Sequence, residues 1–73
     1  MAPRVLNLNP SSNVQGSSYD PDTQQLTVSF LSGGAGYYSS VPAEEAESFE
    51  RAPSPGRYVH DYLKTRFPWT KLA

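Results

Sequence analysis

Alternating apolar and polar residues predict three strands in the first half of the chain. In residues 25–31, apolar side chains alternate with threonine and serine, which gives the strand one apolar face and one polar face. Weaker strand patterns lie on either side, at residues 13–20 and 35–41. An Asp-Pro-Asp sequence at residues 20–22 and a glycine pair at 33–34 are typical of tight turns. The pattern therefore predicts an antiparallel meander.

After residue 41 the apolar spacing changes to that of helices. Residues 42–52 begin with proline and several glutamates, which suit a helix N-terminus, and Pro53 ends this helix. A second helix is predicted from Ser54, as N-cap, to Phe67 before Pro68. Its apolar stripe is formed by two (i, i+4) pairs: Tyr58 with Tyr62, and Val59 with Leu63.

A run of strands followed by helices indicates a small α+β domain. We predict a three-stranded antiparallel β-meander followed by two short helices packed on one face and an extended C-terminal tail. Residues 1–11 are rich in proline and asparagine and are interpreted as a flexible or docking N-terminal arm, whose apolar residues could also add an edge strand. Residues 12–73 form the predicted single domain.

Composition narrows the function classes. The 73 residues include no cysteine and one histidine, which excludes disulfides, thiolate zinc sites and cysteine nucleophiles. The histidine, His60, precedes Asp61 without any nucleophile-elbow sequence, so we expect no enzyme activity, no metal site and no cofactor. Because no apolar run approaches the length of a membrane span or a signal peptide, we expect a cytoplasmic protein that does not contact a membrane.

The net charge of −1 conceals an uneven distribution. Residues 1–53 carry six acidic side chains against two arginines, whereas residues 54–73 carry four cations against one aspartate. The last twenty residues therefore have a local charge of +3. If the protein binds an anionic partner, this segment is where we expect the contact.

The order of short motifs resembles that of the KTSC domain family. The motifs are Ser12-Asn13, Tyr19-Asp20, Leu26-Thr27-Val28-Ser29-Phe30, Ser32-Gly33-Gly34, Tyr38, Val41-Pro42, Ala52-Pro53-Ser54 and Gly56-Arg57-Tyr58. The family occurs at the C-terminus of some lysyl-tRNA synthetases and as free-standing small proteins of bacteria and phages. The resemblance implies no established catalytic activity, and it carries a suggestion of RNA binding. Its central Tyr-x-Tyr aligns with Gly36-Tyr37-Tyr38, so the first tyrosine is absent here.

Two binding hypotheses follow. The first is a nucleic-acid module, with RNA as the main candidate, because cations that neutralise phosphates are interleaved with aromatic rings that stack on unpaired bases. The candidate residues are Arg57, His60, Lys64, Arg66, Trp69 and Lys71, with Tyr37 and Tyr38 as possible contact aromatics. The alternative for the aromatic residues is that they form the core and leave the cations on a solvated face. The second hypothesis is a protein-interaction or structural accessory, for example a phage-encoded one, that forms a homo-oligomer or joins a larger assembly.

Overall fold

A five-stranded antiparallel sheet forms one layer of the computed structural model, which describes residues 3–10 and 13–72. The strands are β1 (Arg4–Val5), β2 (Val14–Asp20), β3 (Gln25–Phe30), β4 (Ala35–Tyr38) and β5 (Trp69–Lys71). Each strand pairs with its sequence neighbour, so the order in the sheet is β1-β2-β3-β4-β5. The predicted start of the domain at Ser12 and part of the predicted arm 1–11 lie outside the described residues.

Two helices form the second layer. The first, α1, spans Ala43–Arg51, and Pro42 is its N-cap residue instead of its first helical residue. The second, which we call α2, covers residues 55–66 and consists of an α-helical turn Pro55–Tyr58, a π-helical segment Val59–Leu63 and a last α-turn Lys64–Arg66. Ser54 is the N-cap, as predicted, although its side chain makes no capping hydrogen bond. The π-helical segment was not predicted from the sequence.

The core lies between the sheet and the two helices. Leu26 and Val28 of β3 are fully buried, as are Phe49 of α1 and Leu63 of α2. Tyr19 belongs to the same core, and its hydroxyl donates a hydrogen bond of 2.5 Å to the backbone oxygen of Val41. This bond satisfies the one polar atom of a side chain that is otherwise packed among apolar groups.

The fold class is confirmed, but the predicted number of strands is wrong. The structure has five strands instead of three, because both ends of the chain join the sheet. The predicted extended tail is strand β5, which pairs with β4, and Arg4–Val5 pairs with β2. Short peripheral strands carry too few residues for a period to be visible in the sequence, and their pairing is decided by the edges that β2 and β4 offer.

The described part of the N-terminal arm is held against α1. Leu6 is buried, and Arg4 forms an ion pair with Glu50 at 3.2 Å. The backbone N–H of Asn7 donates a hydrogen bond of 2.8 Å to the same carboxylate. This backbone hydrogen bond, together with Arg4, holds the pKa of Glu50 below its usual range.

The third predicted strand and the second predicted helix each differ in one detail. Strand β4 ends at Tyr38, earlier than predicted, and Ser40 follows with a positive φ of 59°. In α2, Val59 and Leu63 are buried as predicted, whereas Tyr62 is about half exposed. The apolar stripe of the helix is therefore narrower than its sequence indicates. In the described part of the chain, neither helix is long and apolar enough to cross a membrane.

Candidate functional site

Strand β5 places Trp69 on the face of the sheet that is turned towards the helices. Pro68 separates α2 from β5, and Trp69 then pairs with Tyr38, whose side chain is buried on that face. The indole ring lies directly against Gly36. A Cβ at Gly36 would come well within 3.0 Å of both the Trp69 ring and the backbone oxygen of Thr70. Glycine is therefore required here so that β5 and its tryptophan can approach β4.

Three aromatic rings surround this position. The centroid of Trp69 lies 4.7 Å from that of Tyr38 and 5.9 Å from that of Phe30, with tilted and edge-to-face geometry. These contacts fix the orientation of the indole, yet 39% of Trp69 remains exposed. An oriented ring that keeps an open surface is available to stack on a flat ligand.

Helix α2 supplies the opposite wall. Val59 and Leu63 are buried in the core. The residue after each of them, His60 and Lys64, lies on the side of the helix that is turned towards Trp69. Both side chains lie one helical turn apart at the rim of the space below the indole. His60 belongs to the π-helical segment, and single π-helical turns within helices are frequent at functional sites.

The space between α2 and the sheet is an open groove of about 360 Å³, which we call the Trp69 groove. Its lining consists of Asn13, Phe30, Tyr38, Gly56, Val59, His60, Lys64 and Trp69. The floor is mainly aromatic and aliphatic, and the basic groups lie at the rim. This combination suits a flat, partly apolar ligand that carries negative charge.

Three of the six predicted binding residues, His60, Lys64 and Trp69, meet in the Trp69 groove. Arg57 points elsewhere and pairs with Asp61 at 3.2 Å on the exposed side of α2. Arg66 pairs with the buried Glu45 of α1 at 3.0 Å. The cations of the C-terminal segment therefore do not form one patch, and two of them, both arginines, are paired with carboxylates.

The remaining predicted residues lie on β4 and β5. Lys71 is exposed and occupies the same face of β5 as Trp69, two residues further along the strand. Tyr38 is buried in the floor of the groove. Tyr37 points to the opposite face of the sheet, where it pairs with Thr27 and Thr70. The two tyrosines therefore cannot contact the same ligand.

The electrostatic surroundings of His60 and Lys64 differ. Nδ1 of His60 lies 3.2 Å from Oδ1 of Asp61, and hydrogen bonds from His60 and Arg57 hold the pKa of Asp61 below its usual range. Among the residues that the structure describes, Lys64 has no carboxylate within ion-pair distance. Lys64 is thus the cation at the groove that is most available to an anion.

Sequence reasoning missed the network that joins the two helices. The Tyr58 hydroxyl donates a hydrogen bond to Glu45, which also binds Arg66. Burial, together with the hydrogen bond to Glu45, raises the pKa of Tyr58 to about 12. In the sequence, Glu45 is one of several glutamates at the start of a helix. Its separation from Tyr58 and Arg66 gives no signal that the three meet.

A second surface lies on the other side of α2, where it meets the end of α1. Two adjoining depressions of about 430 and 230 Å³ share Ala52, Pro53, Tyr58 and Tyr62. The rings of Tyr58 and Tyr62 are in tilted contact, with centroids 4.9 Å apart and an angle of 40° between their planes. We call this area the tyrosine surface. It is more open to solvent than the Trp69 groove.

No group of three or more potential metal-ligating side chains occurs in the ranges 3–10 and 13–72. The His60–Asp61 pair is exposed, and no serine hydroxyl donates to this histidine among the hydrogen bonds of the described residues. The Trp69 groove itself combines an oriented indole ring, apolar lining residues and two basic side chains.

Comparisons with known proteins identify similar chains. The KTSC domain family model matches residues 10–67. The lysine–tRNA ligase of Nostoc sp. is 40% identical over 55 residues, which are 75% of this chain but 10% of the ligase. A protein of Tsukamurella paurometabola is 37% identical over 57 residues, 78% of this chain and 85% of that protein.

Structural comparison gives the same result. The crystal structure of a KTSC domain protein from Yersinia pestis superposes with a TM-score of 0.87 at 29% sequence identity, and the match covers 99% of this chain and 100% of that one. The match to the ligase covers a small segment of a much longer protein, whereas these small proteins match over most of their length.

Proposed function

This protein belongs to the KTSC domain family, and we propose that it is a non-enzymatic binding module that holds single-stranded nucleic acid, in particular RNA, in the Trp69 groove. The observation that carries the proposal is the position of Trp69, whose oriented and partly exposed ring faces Lys64 and His60 across the groove.

The chemistry of the groove fits an unpaired nucleotide. A base has a flat π-face that can stack on the indole, and the phosphate attached to it needs a nearby cation. Lys64 meets this need without first having to leave a carboxylate. A duplex offers no such ligand, because its bases are stacked on one another inside the helix.

The relatives make RNA the first class of nucleic acid to test. Some are lysine–tRNA ligases, enzymes whose name specifies tRNA as a reactant. The aligned segment covers 10% of such a ligase, so this support concerns only the class of ligand. The proposal places the protein in the bacterial cytoplasm, whether a cellular or a phage genome encodes it.

Fluorescence offers a direct test, because Trp69 is the single tryptophan of the chain and lies in the proposed site. We expect single-stranded RNA to quench its emission, and a matched RNA duplex to do so far less. With one phosphate neutralised at Lys64, the logarithm of the association constant should fall with the logarithm of salt concentration at a slope of about −0.7.

Two variants that each remove one positive charge distinguish binding in the groove from non-specific electrostatic attraction. Lys64→Gln should weaken binding by about tenfold, because a charge-assisted contact to phosphate is lost. Arg51→Gln, at the end of α1 and outside the Trp69 groove, should weaken it by less than about twofold. Absence of quenching and of salt-dependent affinity up to about 100 µM RNA would contradict the proposal.

A protein-interaction role remains the second candidate, and the tyrosine surface favours it. Tyr62 is about half exposed, and its tilted contact with Tyr58 gives an aromatic area, which is typical of protein contacts. In an affinity pull-down from bacterial lysate, this role predicts a partner that survives nuclease treatment and is lost with Tyr62→Ala. Partners that disappear with nuclease would favour RNA.

A further inference from the structure

The Trp69 groove has room for one nucleotide only, and its basic rim is suited to a terminal phosphate. We infer that the ligand is a single nucleotide carrying a phosphomonoester, with its base on Trp69 and its phosphate at Lys64 and His60. This inference rests on the proposed function and specifies the part of the nucleic acid that is bound.

The size of the groove is the first argument. At about 360 Å³, the groove lies near the lower end of the range for small-molecule sites, roughly 300 to 1,000 Å³. Phe30 and Tyr38 close it below, and α2 closes it on one side. One base with its sugar fills such a space, and a second base would have to lie outside it.

The arrangement of the aromatic residues is the second argument. Proteins that bind long single strands present successive rings along a continuous track. Here the half-exposed Tyr62 lies on the other side of α2, and Tyr37 lies on the other face of the sheet. Neither ring can receive the base that follows one stacked on Trp69.

The distribution of charge is the third argument. A strand that crosses the domain would need cations spaced along its backbone, but Arg57 and Arg66 are held by Asp61 and Glu45. Lys71 lies on the same face of β5 as Trp69 but does not line the groove, so it could contact only a phosphate outside it. The basic groups that line the groove, His60 and Lys64, are one helical turn apart. Nδ1 of His60 lies beside Asp61, so Nε2 is the atom of this ring that is left for a ligand. Two neighbouring donors match one phosphate, and a phosphomonoester with a charge of about −1.5 to −2 gains more from them than a diester.

The experiment compares four probes by quenching of Trp69: adenosine, adenosine 5′-monophosphate, and hexa-adenylate with and without a 5′-phosphate. We expect the monophosphate to bind at least about tenfold more tightly than adenosine, since the phosphate adds charge-assisted contacts. The phosphorylated hexamer should bind within about threefold of the mononucleotide, because further nucleotides find no second stacking site. Lys64→Gln should remove the preference for the monophosphate, and Arg51→Gln should retain it.

Other outcomes distinguish this inference from the function on which it rests. If both hexamers bind much more tightly than the mononucleotide, the protein binds strands and the single-nucleotide inference is overturned. If the mononucleotide binds and neither hexamer does, the ligand is a free nucleotide and the proposed strand binding is wrong. If none of the four probes quenches Trp69, both proposals are wrong.

Discussion

Both sides of α2 carry a cation, but the cation on one side is bound to a carboxylate and the cation on the other side is not, in the part of the chain that the structure describes. On the side that faces α1, Arg66 is bound to Glu45, and Tyr58 donates to the same carboxylate. On the side that faces β5, Lys64 lies beside Trp69 at an open groove with no carboxylate partner among the described residues. Positive charge counted along a sequence is therefore not the same as positive charge that a ligand can use.

This difference separates a structural side of the helix from a side that is free to bind. Glu45, Tyr58 and Arg66 hold α2 against α1, and their polar groups satisfy one another. His60 and Lys64 contribute little to packing, since both are exposed. Variants on the side that faces α1 should therefore mainly lower stability, whereas variants on the side that faces β5 should mainly weaken binding.

The largest effect should come from the core beneath the structural side. Phe49 is fully buried, and its ring lies 5.7 Å from that of Tyr58. Phe49→Ala should lower the free energy of unfolding by about 3–5 kcal/mol, through lost burial and the cavity that remains. Small domains have a total stability of about 5–15 kcal/mol, so much of the population could unfold.

Urea denaturation followed by circular dichroism measures this loss. Tyr62→Ala is the control on the same aromatic row, and we expect it to cost about 1 kcal/mol or less because half of that ring is already in water. Equal losses for the two variants would show that the tyrosine surface is as much a part of the core as Phe49.

The next largest loss of stability is expected at Gly36, against which the Trp69 ring packs. Gly36→Ala puts a methyl group where the indole and the backbone of Thr70 lie, so it should cost about 1–3 kcal/mol. It should also displace the ring, shift its emission to the red and remove nucleotide binding. Gly34→Ala is the matched control, because open space surrounds that position. A Gly36→Ala protein with unchanged emission would contradict the close packing of β4 and β5.

Removing one charge on each side of α2 tests whether the side that faces α1 stabilises the fold and the side that faces β5 binds the ligand. Glu45→Gln keeps the shape of the side chain but removes the charge that Arg66 and Tyr58 bind, so stability should fall by about 1 kcal/mol while binding is retained. Lys64→Gln should change stability by less than about 0.5 kcal/mol and weaken binding. Urea denaturation measures the stability of each variant, and fluorescence titration measures its affinity for the ligand. If Glu45→Gln also weakens binding, the two sides are coupled through α2.

The last effect is a dependence of stability on alkaline pH. The pKa of Tyr58 is raised to about 12 in the folded protein from 10.0, so the unfolded chain loses this proton first as pH rises. The stabilisation from Tyr58 is fully present below pH 10 and declines as pH rises towards 12. Between these values the urea midpoint should fall more steeply for the parent protein than for Tyr58→Phe. Identical slopes would show that burial and the hydrogen bond to Glu45 do not raise the pKa of Tyr58.

Part of this architecture could be predicted from the sequence, because periods and turns are local. The strand at β3 follows from its alternation, and the turn after it contains Gly33 with a φ of 102°. The limits of α2 follow from Pro55 and Pro68. A three-residue strand such as β5 has no measurable period, and so its pairing had to come from the structure.

The candidate site could be predicted only in its types of residue. Interleaved cations and aromatics drew attention to the last twenty residues, and three of the six binding candidates line the Trp69 groove. Arg57 and Arg66 have the same appearance in the sequence as Lys64. Their ion pairs depend on Asp61 one turn along the helix and on Glu45 in another helix. The first pair is a local possibility, whereas the second depends on how the helices pack.

By itself, the sequence determined the α+β class, the order of the main elements, the family and the concentration of positive charge near the C-terminus. Only the tertiary structure decided which cations remain available and that Trp69 lies on Gly36 at the edge of a five-stranded sheet. The physical reason is the range of the interactions. Periods and turns act over a few residues, whereas ion pairs and ring contacts join positions that become neighbours only when the chain has folded.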